Sequence, residues 1–82
     1  MTPSEALEYI RGLPEAKGYQ WDVGFENTAG ELVVILTVGR RHFEHLIGIP
    51  TRRWPYKRML RYAVRELLAQ AKGRRRKATN RA

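Results

Sequence analysis

Five consecutive side chains near the middle of the chain, Leu32-Val33-Val34-Ile35-Leu36, contain no polar atom. A run this short is a strand rather than a membrane span or a long buried helix, and its β-branched residues suit a pleated surface. Side chains of a strand alternate between the two faces of a sheet, and this run is apolar on both. The strand, about residues 31–40, is therefore expected in the middle of a sheet. Upstream, Tyr19, Trp21, Val23 and Phe25 alternate with Gln20, Asp22, Gly24 and Glu26, the pattern of a strand with one face on a core. Asn27-Thr28-Ala29-Gly30 reads as the turn between these two strands, with a positive φ expected at Gly30. Downstream, Gly39-Arg40-Arg41 is a second turn, and His42 to Ile49 is a third strand stopped by Pro50.

Helical patterns flank the strands. Thr2-Pro3-Ser4-Glu5 has the residues of a capping box with proline at the first helical position, and Ala6, Leu7, Ile10 and Leu13 follow at helical spacing. Gly12 and Pro14 limit this helix to about residues 3–12. A second helix is expected over about residues 55–71, with Tyr56, Leu60, Ala63, Val64, Leu67 and Ala71 on one stripe and Gly73 at its end. The expected fold is α+β, in the order α-β-β-β-α, with both helices packed on one face of a three-stranded antiparallel sheet. Tyr19, Trp21 and Phe25 from the first strand, and Phe43, Ile47 and Ile49 from the third, are expected in the core. Residues 1–72 form one domain, and residues 73–82 are expected to be a disordered polybasic tail.

A chain of 82 residues buries only roughly 60% of its unfolded surface, which leaves little room for a deep substrate cavity. Without cysteine it has no disulfide and no thiolate nucleophile or ligand. No apolar run approaches the roughly 20 residues of a bilayer span, and Met1 to Glu5 lack the order of a secretory signal. A cytoplasmic setting with no membrane partner is the expectation.

Charge is divided sharply along the chain. Residues 1–38 hold two basic against six acidic side chains, a net of −4. Residues 39–82 hold fourteen against two, a net of +12, of which Lys72 and the residues after it supply +6. Such asymmetry points to nucleic acid or another polyanion. The expected phosphate-contacting residues are Arg40 and Arg41 in the second turn, Arg52, Arg53, Lys57 and Arg58 at the start of the second helix, and Arg61 and Arg65 along it. A helix N-terminus attracts anions, and arginine matches phosphate geometry with paired donors. The bland alternative, a solvated basic face, fits less well because Glu66 is the single acidic residue of that helix. Trp54 either stacks on an unpaired base or packs over the helix end. Arg74, Arg75, Arg76 and Lys77 would add unselective affinity by releasing counterions.

His42, Glu44 and His45 are the one cluster with catalytic or metal-binding residue types. On a strand His42 and Glu44 share a face and His45 takes the other, so they do not converge. No catalytic residue, metal or cofactor is expected, and the chain reads as a non-enzyme.

The order α-β-β-β-α resembles the double-stranded-RNA-binding domain, an outline that small toxin ribonucleases of the HicA family share. The resemblance covers about residues 2–71 and is one of topology. It implies a basic cluster opening the second helix, where Arg52, Arg53, Lys57 and Arg58 stand. The turn 27–30 has no histidine, the first helix carries Glu5 and Glu8, and the Lys-Lys-x-Ala-Lys and Gly-Ser-His patterns of the two families do not occur. What carries over is the fold. The function expected is a small basic module that binds DNA or RNA. The alternative is a small phage-type inhibitor or regulator that binds a host nucleic-acid-processing protein, with a homodimer compatible with either.

Overall fold

Thr2 opens the chain's first helix in the expected way. In the computed structural model, which describes residues 1–26, 28 and 30–73, Thr2 Oγ1 accepts from the Glu5 amide at 3.2 Å. The Glu5 carboxylate in turn accepts from the Thr2 amide at 2.8 Å, closing the capping box. The bond from the Thr2 amide and, after it, the Thr2 side chain hold the Glu5 carboxyl below its ordinary pKa, since each favours the charged form. Helix α1 runs Pro3–Arg11 and buries Ala6 and Ile10. Pro14 then starts a single 3₁₀ turn, Pro14–Ala16, which carries Leu13 and Ala16 into the core.

Strands β1 (Gln20–Phe25), β2 (Leu32–Val38) and β3 (Arg41–Ile47) form one antiparallel sheet in the order β1-β2-β3. The all-apolar run is thus the central strand. Val38 pairs with Arg41, so Gly39 and Arg40 alone make the turn. Gly39 has φ +62° and Arg40 is not left-handed, the pattern of a two-residue hairpin with glycine first. Helix α2, Tyr56–Ala71, packs on β3 and β2, while α1 packs on β1 and against α2. Both helices therefore cover one face of the sheet, and the element order is the one the resemblance implied. Among the described residues no helix is long and apolar enough to cross a membrane.

The core lies between the helices and that face. Leu32, Val34 and Leu36 of β2 and Leu60, Ala63, Val64 and Leu67 of α2 are fully buried around Trp21, Val23 and Ile47. Trp21 brings a polar group inside, and its indole N–H donates to the Ala16 carbonyl at 2.9 Å. Tyr56, Ala71 and Phe43 pack against this cluster at its edge.

Three expected core residues are not in it. Phe25 is 62% exposed, because α1 spans roughly 14 Å while β1 runs roughly 20 Å, leaving the end of the strand uncovered. Tyr19 precedes β1 and remains exposed, its ring edge-on to Trp21 at 6.5 Å. Ile49 is 57% exposed, since β3 stops at Ile47 and the chain leaves the sheet two residues before it. The tail from Arg74, including Arg75, Arg76 and Lys77, lies outside the described residues.

Candidate nucleic-acid interface

The segment between β3 and α2 is shaped by its own hydrogen bonds. The Thr51 amide donates to the Trp54 carbonyl at 3.0 Å, and the Trp54 amide donates to Thr51 Oγ1 at 3.1 Å. Pro55 follows, which pushes Trp54 toward extended backbone and acts as the N-cap of α2 without a side-chain cap. Trp54 is fixed at the mouth of the helix as a result, and it is 41% exposed.

Three contacts build a column of planar groups there. The Arg58 guanidinium lies 4.7 Å from the Trp54 ring centre, a cation–π stack, while its Nη1 donates to the Arg53 carbonyl at 3.0 Å. Trp54 meets Tyr62 edge to face at 5.8 Å, and Tyr62 meets His45 of β3 in the same way at 5.8 Å. Register explains why His45 is available. It pairs with buried Val34 and so points to the helix side, whereas His42 pairs with Thr37 on the outer face and meets its hydroxyl at 3.1 Å.

This column separates two hollows. On one side Arg58, Arg61 and Arg65 line a shallow pocket of about 290 Å³ together with Trp54 and Tyr62. On the other, Leu46, Ile47, Gly48 and Met59 join His45 and the same two rings around a half-open pocket of about 350 Å³. Anionic and flat apolar groups thus find matching surfaces within one ring's width of each other.

The other sequence-predicted residues fall elsewhere. Arg41 opens β3 and lies 4.9 Å from the Phe43 ring, at the far end of the strand from Ile47, roughly 20 Å away. Arg40 is exposed at the hairpin tip beside it. Lys57 turns toward α1, with its Nζ 5.9 Å from the Tyr9 ring, and so leaves the Arg58 side of the helix. Arg52 and Arg53 are exposed in the segment before α2. The turn and the arginine stripe therefore do not share a pocket. Tyr62 and His45 enter the site although sequence reasoning did not place them there. For Tyr62 a signal existed, since it stands four residues after Arg58 and three before Arg65, beside the arginine stripe.

Compared with protein-family models, curated proteins and solved structures, the chain matches none.

Proposed function

We propose that the chain is a small module that binds nucleic acid through the arginine-bearing side of α2. The observation that carries this reading is the pocket where three arginines meet two exposed aromatic rings. Arg61 and Arg65 are exposed and spaced by one helical turn, so they can follow successive phosphates. The uncapped start of α2 adds backbone N–H groups and a partial positive charge nearby. Arg40 and Arg41 serve this reading only as a second, separate phosphate contact. Such a module acts without catalysis and is expected in the cytoplasm.

The test is a salt titration of binding to labelled DNA and RNA, using the full chain and a chain ending at residue 73. Log affinity should fall linearly with log salt, with a slope of roughly −0.9 per phosphate on duplex DNA and −0.7 on single strands. Absence of binding to every nucleic acid at low salt refutes the reading.

A second reading, a regulator that binds a nucleic-acid-processing protein, is favoured by the outer face of the sheet. Val33 and Ile35 are half-buried there beside Leu46, which is 52% exposed, an apolar strip on the side away from both helices. Recovery of one protein partner after nuclease treatment, with no nucleic-acid binding by the pure chain, supports that alternative.

A further inference from the structure

The two hollows share Trp54 and Tyr62 as a common wall, and this bears on which form of nucleic acid fits. Resting on the reading above, we propose that the cleft between β3 and the start of α2 takes one unpaired base of a single strand. The base enters the apolar pocket, and the flanking phosphates lie on Arg61 and Arg65.

The pocket's chemistry matches a base. Ile47 and Met59 offer apolar contact, Trp54 and Tyr62 offer flat π surface, and His45 offers ring nitrogens able to meet a polar base edge. Its volume of about 350 Å³ lies at the small end of the roughly 300–1,000 Å³ typical of small-ligand sites. Tyr62 is 45% exposed and Trp54 nearly as much, although burying them would have stabilised a domain with so small a core. Gly48 also lines the pocket, and a Cβ there would meet no atom within 4 Å, so the position has room for a larger side chain. A duplex cannot use these features, because its base faces are already covered by neighbouring base pairs. An unpaired strand can, as every base has a face to stack and a backbone that follows a basic groove.

The experiment measures affinity of the full chain for four labelled probes at one salt concentration: single-stranded DNA, single-stranded RNA of the same sequence, and the duplex of each. Both single strands should bind more tightly than the duplexes. Trp54→Ala should weaken single-strand binding about 5- to 150-fold, the range for loss of one base–aromatic stack, and leave duplex binding nearly unchanged. Trp54→Phe, which keeps a ring, should recover most of the loss. Gly48→Val changes no charge and no ring, yet should weaken single-strand binding by narrowing the pocket. Quenching of indole emission in the unaltered chain provides a readout that needs no variant. Trp21 is buried, so single strands should quench the exposed Trp54 and duplexes should not. Equal affinity for all four probes, or single-strand binding untouched by both Trp54→Ala and Gly48→Val, overturns the single-strand proposal while leaving nucleic-acid binding intact. Failure of the unaltered chain to bind any probe overturns the underlying reading as well.

Discussion

Replacing Arg61 and Arg65 together with alanine separates phosphate contact from general basicity. Both side chains are exposed on α2 and line the arginine pocket, so their removal opens no core cavity. Arg58 is left in place because it stacks on Trp54 and bonds the Arg53 carbonyl, and its loss would disturb the loop. If each arginine neutralises one phosphate of a single strand, the double variant loses about 1.4 from the magnitude of the log–log salt slope, at roughly 0.7 per phosphate. Between about 50 and 200 mM salt, a fourfold range, that difference amounts to about sevenfold. The affinity ratio of parent to variant should therefore be about seven times larger at the lower salt than at the higher. The tail is present in both proteins, so its contribution cancels. Fluorescence anisotropy over a salt series, with a labelled single strand, gives both slopes. A weaker variant whose slope equals the parent's would show that these arginines meet no phosphate, and the reasoning would fail at its first step.

Further outcomes test the fold that holds the site. Phe25→Ala should change stability by about 0.5 kcal/mol or less in urea denaturation, as expected of an exposed side chain, whereas a core phenylalanine would cost about 3–5 kcal/mol. Trp21→Phe, by contrast, removes the indole donor from the Ala16 carbonyl, which keeps the Tyr19 amide at 3.3 Å, and should cost about 0.5–1.5 kcal/mol by the same assay. Gly39→Ala should cost about 1–2 kcal/mol, because an L-residue is strained at φ +62°. Thr2→Ala should cost about 0.5–2 kcal/mol through loss of the helix cap, read from thermal melts. Because the folded Glu5 carboxyl titrates below its ordinary value of 4.5, its stabilising contribution is complete above that value and disappears as pH falls through the lowered one. The stability difference between parent and Glu5→Gln should accordingly shrink in acid.

The sheet order was legible because the apolar run of β2 admits no edge position, and the helices were legible because caps and apolar spacing agree. What failed was the reach of each face. Alternation assigned Phe25 to the side of Trp21 correctly, but alternation carries no information on how far a nine-residue helix extends over a strand. The 3₁₀ turn at Pro14–Ala16 escaped notice because three residues hold too little periodicity to detect. For the site, the arginine stripe followed from helical geometry alone. The meeting of Trp54, Tyr62 and His45 did not, as it depends on a loop closed by Thr51 and on the register that turns His45 inward. Lys57 stands apart from the arginine stripe. Lying one position from Arg58 in sequence, it is rotated about 100° around the helix and faces α1.

The division of charge has a consequence for how binding is apportioned. Residues 1–38 carry −4 and residues 39–71 carry +6, so the part of the chain up to the end of α2 is nearly neutral at +2. Bulk attraction to a polyanion therefore resides mostly in the residues from Lys72 onward, and their basic run reads no sequence or strand form. A nearly neutral domain can contribute selectivity only through where its charges stand, and here Arg58, Arg61 and Arg65 stand beside exposed rings while Glu5 and Glu8 stand on another helix. Affinity and choice are thereby separable on this chain. On the proposed reading, the tail would set how strongly any nucleic acid is held, and the cleft between β3 and α2 would set which form is preferred. Shortening the chain to residue 73 should consequently weaken every complex yet preserve the ratio between single strand and duplex, whereas Trp54→Ala should do the opposite.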